Sequence, residues 1–397
     1  MKRSLALAGL VVCVFALRAH AEIVSTLCAE SEVPLDATHS AARLGDCGAA
    51  DQTDLLWHLD RIDQVAGALD GHFDRQSTGA GAVVYVMDTG VMATHTEFEG
   101  PHGSRVIAGF DASGAVAIGR SNCISPDRSL APCWSDFDEL AAASHGTAVA
   151  SLIAGRRVGV APQAMIVSIR VMNERGLATT RTYMDGLDDI IRHAQSMPFQ
   201  TAVVNISAWV LERLSSASSD PTPAVPFADV EKKMKDMIAG VYGKRFLFVV
   251  AANNIDGGCG RSGAIDRFPA ILGKSIDGMI TVGGMTSTNE AWIGTCTGGV
   301  EVLAPAQGIF SASITASDHY RGRRPNLRSG TSFAAPIISG IAARLLSERP
   351  DLTPEQLEAW ITATPSRVEN PDIRLASGKV AYVRSITPAA PVMASAR

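Results

Sequence analysis

The sequence predicts an α/β fold, a doubly wound and mostly parallel central sheet with helices on both faces. Three observations carry that expectation. Short apolar runs at 82–87, 165–171, 202–206, 246–252 and 279–283 have the length and composition of strands buried on both faces. Helix-period segments separate them, which implies βαβ units in one sheet. Finally, polar residues with chemical potential sit just after several of these runs, at strand carboxyl ends where open α/β sheets build their sites.

The first run, Ala82-Val-Val-Tyr-Val-Met87, ends on Asp88 and is turned by Thr89-Gly90. His145 opens a segment, Gly146 to Gly155, in which Val149, Leu152 and Ile153 recur at helical spacing and Gly155 is a candidate terminator. The run Ala202-Val-Val-Asn-Ile-Ser207 leads into Ala208-Trp209. Phe246-Leu-Phe-Val-Val-Ala-Ala252 delivers Asn253-Asn254 at its end. Ser332 precedes an apolar periodic stretch, Ile337 to Leu346, which reads as a helix. That places its backbone N–H in a first turn whose partial positive charge favours an oxyanion. Near the end, Thr353 is a helix N-cap candidate with Pro354 at the first helical position and Gln356 completing a capping box. Asp185, Asp188 and Asp189 fall on a predicted helix as solvated-face or cap residues.

Asp88, His145 and Ser332 are an acid, a base and a hydroxyl. A lone serine hydroxyl is a poor nucleophile; it needs an imidazole to take its proton and a carboxylate to hold that imidazole in one tautomer. Any one such residue among nine histidines and many aspartates and serines carries little weight, but the settings differ from ordinary surface ones. Val-Met-Asp88-Thr-Gly, Ser-His145-Gly-Thr-Ala-Val-Ala and Gly330-Thr-Ser332-Phe-Ala-Ala-Pro336 resemble the three motifs of the subtilases, the subtilisin-type serine peptidases. The order Asp, His, Ser is subtilisin's own. Thr94-His95-Thr-Glu-Phe-Glu-Gly100 and Val158-Gly-Val-Ala-Pro162 extend the likeness, which is closest to the proteinase K group and spans about Trp57 to Ala381.

The resemblance implies a serine endopeptidase acting through an acyl-enzyme on protein or peptide substrates. By position it makes Asn254 the side-chain oxyanion donor beside the Ser332 N–H. It makes His95 a structural histidine, leaving His145 as the base. It places Ser207, Ala208, Trp209, Ala252 and Asn253 at the substrate pocket. Two residues depart from the family pattern. Asn253 stands where glycine is usual, either as a turn residue that tolerates a left-handed backbone or as a change of pocket shape. Trp209 also replaces a usual glycine; it either narrows the primary pocket or packs away from substrate. Two other readings stay open: a subtilase fold kept as an inactive binding module, and an esterase or transacylase using the same triad.

The amino terminus has Met1-Lys-Arg3, an apolar run from Leu5 to Leu17 and Ala19-His-Ala21, the pattern of a signal peptide over 1–21. The protein is therefore expected outside the cytoplasm, secreted or periplasmic. The run is too short for a stable membrane anchor, and no later apolar stretch reaches the roughly 18 residues a spanning helix requires. Residues 22–50 form a short leader or propeptide remnant, 51–385 the catalytic domain with an inserted loop at 112–140, and 386–397 a tail. A net charge of −5 gives no polybasic face for nucleic acid, the Arg321-Gly-Arg-Arg324 cluster being local, and a monomer is expected.

Of seven cysteines, Cys13 leaves with the signal, and Cys28, Cys47, Cys123, Cys133, Cys259 and Cys296 remain. An even set in an exported protein suggests disulfides. Proximity suggests pairing in that order, although six cysteines allow fifteen connectivities and a free, buried set is the alternative. The chemistry requires no cofactor. Structural calcium is common in the resembling family; Glu301 stands where an aspartate ligand is usual, which puts that site in doubt.

Overall fold

The computed structural model describes residues 41–43, 56–63, 69, 71–74, 77–112, 144–173, 176–212, 224–255, 259, 265–314, 320–321 and 328–363. The expected signal peptide, the tail, Cys28, Cys47, Cys123, Cys133 and all but the first residue of the 112–140 insertion lie outside the described residues, as does most of the leader. Ala41–Arg43, within the stretch expected to be a leader, forms an antiparallel pair with His72–Asp74.

Seven strands form the central sheet: β1 (Val83–Asp88), β2 (Val106–Asp111), β3 (Met165–Arg170), β4 (Thr201–Ile206), β5 (Arg245–Ala251), β6 (Met279–Met285) and β7 (Val302–Pro305). Their order is β7-β6-β5-β4-β1-β3-β2 and every neighbouring pair is parallel. From β1 the chain runs out to β2 at the sheet edge, returns to β3 between them, then crosses to β4 on the other side of β1. The connections after β1 and β4 thus diverge, opening a crevice at their carboxyl ends, the position where such sheets bind ligands.

Side-chain alternation sorts the core. Val84, Val86, Val203, Leu247 and Val249 point to one face, where they pack on α1 (His145–Ala154), α4 (Thr331–Glu348) and α5 (Pro354–Thr362). Tyr85, Met87, Val204, Phe248 and Val250 point to the other, against α2 (Thr180–Ala194) and α3 (Phe227–Ile238). Both faces of β1 are buried, as its unbroken apolar run predicts. Helix α5 starts as its sequence requires: the Thr353 hydroxyl accepts from Gln356 N–H, the Gln356 side chain accepts from Thr353 N–H, and Pro354 fills the first position.

Two glycines, one inside α1 and one capping its end, act through contact distance. A Cβ at Gly146 would lie 2.3 Å from the Gly90 carbonyl and 3.1 Å from Asp88 Cβ, so only glycine lets α1 seat against the carboxyl end of β1. Gly155 has φ −62° and is not a left-handed terminator; a Cβ there would lie 2.3 Å from both the Ser151 carbonyl and the Glu97 carboxylate. Gly146→Ala is expected to cost about 1–3 kcal/mol, as other overpacking changes do. A lowered urea midpoint in chemical denaturation checks this, and an unchanged midpoint contradicts the fit.

Candidate functional site

Asp88 ends β1 with a side chain of zero solvent exposure. A buried carboxylate needs hydrogen-bond donors. Thr89 N–H donates to its Oδ1 at 2.7 Å, and His145 Nδ1 lies 2.9 Å from Oδ1 and 3.0 Å from Oδ2. That bond fixes the imidazole, with Nδ1 as the protonated nitrogen facing the carboxylate and Nε2 left as the acceptor. Its helix is stitched to the same loop, since Gly146 N–H donates to Thr89 Oγ1 and Met92 N–H to Thr147 Oγ1. On the other side, the Phe333 ring packs 5.6 Å from the imidazole centroid and carries the Arg328 guanidinium at 5.7 Å. Arg328 Nη2 in turn donates to Ser144 Oγ. His95 is structural, as expected. It is fully buried, and its Nδ1 accepts from Glu97 N–H to cap a short 3₁₀ turn.

Ser332 is the second residue of α4, so its backbone N–H is among the first-turn donors that a helix leaves without an internal acceptor. Pro336, four residues on, has no N–H to give to the Ser332 carbonyl. The Ser207 hydroxyl takes the vacant place, donating to that carbonyl at 2.9 Å. Asn205 Nδ2 donates to Ser207 Oγ, and Ser339 Oγ donates to Asn205 Oδ1, so a buried polar chain links β4 to α4 directly under Ser332. Ser332 Oγ itself donates to the Ser207 carbonyl at 3.0 Å rather than to His145.

Asn254 is oriented by an unambiguous donor. Thr331 N–H and Thr331 Oγ1 both donate to Asn254 Oδ1, at 2.9 and 3.0 Å, which leaves Nδ2 as the outward end of the amide. Gly330 makes room for it: φ is +154°, and a Cβ there would press within 3.3 Å of Nδ2. Asn253 has φ 81°, in the left-handed region that asparagine tolerates better than most residues. The segment is held from behind, where Cys296 N–H donates to the Asn253 carbonyl and Cys296 is disulfide-bonded to Cys259.

These groups face one cleft of about 290 Å³, lined by His145, Ser207, Ala208, Trp209, Asn253, Asn254 and Ser332, together with Thr89, Met172, Gly176, Ala251 and Thr331. Of the residues expected at the substrate pocket, Ala252 alone is misplaced. It is fully buried in the α2/α3 core, its N–H donates to the Val282 carbonyl, and Ala251 lines the cleft in its stead. Sequence reasoning also missed Asn205 and Ser339; the one signal was a lone amide inside an otherwise apolar strand.

A scan against family models matches the subtilase family (peptidase S8) over residues 79–379. The chain belongs to the subtilase family. It is 32% identical over 325 residues to an extracellular serine proteinase of Thermus sp. (strain Rt41A), a match covering 80% of this chain and 64% of the relative. It is 30% identical over 338 residues to alkaline serine exoprotease A of Vibrio alginolyticus, covering 84% of this chain and 51% of that one. The chain thus spans about half to two thirds of the length of these curated relatives. Among solved structures, a cold adapted subtilisin-like serine proteinase superposes with a TM-score of 0.59 at 28% identity, over 82% of this chain and 97% of that one. The parallel sheet flanked by helices is the subtilisin-like α/β architecture.

Glu301 does not fit a calcium ligand. Its carboxyl accepts from Thr281 N–H at 2.8 Å and hydrogen-bonds the Glu358 carboxyl of α5, which itself accepts from Gly278 N–H. Burial, with the Glu358 charge beside it, pushes Glu301 up to about 8, and burial raises Glu358 as well. Such a proton-sharing pair has its oxygens committed to one another and to backbone donors, not splayed around a cation. The folded state holds the Glu301 proton more tightly than the unfolded chain does. This stabilising contribution is therefore full below the ordinary value of 4.5 and is lost as pH rises toward about 8. Glu301→Gln is expected to flatten the fall of the melting temperature across that window; an identical slope in wild type and variant contradicts the pairing.

Proposed function

We propose that the chain is an exported serine endopeptidase. His145 takes the proton of Ser332 as Oγ attacks a peptide carbonyl, Asp88 holds the imidazole and stabilises the imidazolium, and Asn254 Nδ2 with the Ser332 N–H receives the oxyanion. The imidazolium returns its proton to the leaving amine, and water then hydrolyses the acyl-enzyme by the same route in reverse. No cofactor enters these steps. The observation that carries the reading is the buried Asp88 carboxylate on His145 Nδ1, in one cleft with Ser332 and Asn254. Kinship with the proteinase K group belongs to the same reading and rests on the motifs around Asp88, His145 and Ser332. Export is supported by the pattern of residues 1–21 and by the extracellular relative. No helix among the described residues is long and apolar enough to cross a membrane. We take the active form as a monomer with no nucleic-acid partner.

One observation favours the inactive binding module: Ser332 Oγ rests on the Ser207 carbonyl. Catalytic hydrogen bonds commonly tighten only when substrate arrives, and a rotation of one side-chain torsion releases the hydroxyl. A fluorophosphonate separates the two readings. Wild type is expected to be labelled and Ser332→Ala not; an unlabelled wild type leaves the binding module. Asn254→Ala is expected to lower turnover on casein by roughly 10² to 10³, the size of effect measured on subtilisin itself for loss of its asparagine donor. Unchanged turnover in that variant removes Asn254 from the oxyanion site.

A further inference from the structure

The cleft carries two side chains where the resembling family has glycine, and both are held in place. The Trp209 indole lies under the Arg267 guanidinium, 5.0 Å from the ring centroid, while Arg267 Nε lies 3.6 Å from the carboxylate of Asp266. Asn253 is fixed through its backbone by the Cys296 N–H, at 3.1 Å, and its φ of 81° restricts the position to glycine or asparagine-like residues. Asparagine therefore satisfies the backbone, and it adds a polar head that glycine lacks. That head is uncommitted: Asn253 Nδ2 is shut away from solvent with no hydrogen-bond partner. A buried amide donor left unmade costs free energy that a bound partner recovers.

Among the described residues lining the cleft, none but His145 has an ionisable side chain, and Arg267 over the Trp209 indole is already paired with Asp266. A carboxylate or ammonium entering beside Asn253 would be desolvated with no unpaired opposite charge among those residues, which is costly. A carboxamide enters more cheaply, because it both donates and accepts, complementing the asparagine head. Its flat face also suits an indole. Resting on the endopeptidase reading above, we propose that Asn253 and Trp209 make this a pocket for an amide-bearing residue, glutamine or asparagine, on the acyl side of the scissile bond. Asn253 meets the amide after a turn about its terminal torsion, a broad one, and Trp209 limits the depth available to large apolar side chains.

The test is a set of internally quenched peptides identical except for glutamine, glutamate, methionine or phenylalanine at that residue. Glutamine and methionine have nearly the same length, so their kcat/KM ratio isolates the amide. Wild type is expected to favour glutamine over methionine about tenfold, the worth of one neutral hydrogen bond, and over glutamate as well. Asn253→Gly, which suits the backbone, is expected to abolish that ratio, and Trp209→Gly to raise hydrolysis of the phenylalanine peptide. The proposal is overturned if methionine, phenylalanine or glutamate is preferred in wild type, or if Asn253→Gly leaves the ratio unchanged. Fluorophosphonate labelling of Ser332 in parallel separates the failures: a labelled enzyme whose cleavage ignores Asn253 sinks only the pocket. An unlabelled wild type that cleaves none of the four peptides sinks the peptidase reading as well.

Discussion

A carboxylate with no access to solvent, Asp88 at the end of β1, is the constraint from which the rest of the site follows. Left without partners, such a charge would be costly to bury. The Thr89 N–H and the His145 imidazole answer it. For the imidazole to arrive, a helix must begin within contact distance of the strand end, and that requires the bare backbone of Gly146 against Gly90. The same bond that makes the carboxylate tolerable also leaves His145 Nε2 free to accept a proton. Burial, tautomer and reactivity are thus consequences of one contact.

Ser332 is supported by a second construction from the opposite side of the crevice. Pro336 interrupts the backbone bonding of α4 and frees the Ser332 carbonyl, and the Ser207–Asn205–Ser339 chain ties that carbonyl down to β4. Asn254, at the end of β5, is aligned by the first residue of the same helix. Strand ends β1, β4 and β5 therefore supply the acid, the support and the amide, while two helix starts supply the base and the hydroxyl. The switch in winding direction between β1 and β4 puts all of them at one edge of the sheet.

Much of this was legible because each feature left a local mark. The unbroken apolar run before Asp88, the glycine after His145 and the Thr353-Pro354-Gln356 cap all state their roles within a few residues. The edge strands β2 and β7 were not legible, one being partly exposed with a bulge and the other only four residues long. Ala252 is placed at the cleft by resemblance to the family alone; the strand ends at Ala251, which lines the cleft, and Ala252 turns into the core. Contacts across large separations, such as Ser339 with Asn205, also leave no pattern in the chain. Glu301 shows the reverse case: it stands where the resembling family has an aspartate ligand, which puts that site in doubt, and its carboxyl is hydrogen-bonded to that of Glu358.

The most direct measurement is a crystal structure of the protein reacted with a peptide boronate. The account predicts a tetrahedral adduct on Ser332 Oγ, released from the Ser207 carbonyl, with one boronate oxygen within about 2.7–3.1 Å of both Asn254 Nδ2 and the Ser332 N–H. It also predicts that His145 Nδ1 stays on Asp88. An adduct whose oxygen points away from both donors, or no adduct at Ser332 at all, would contradict it.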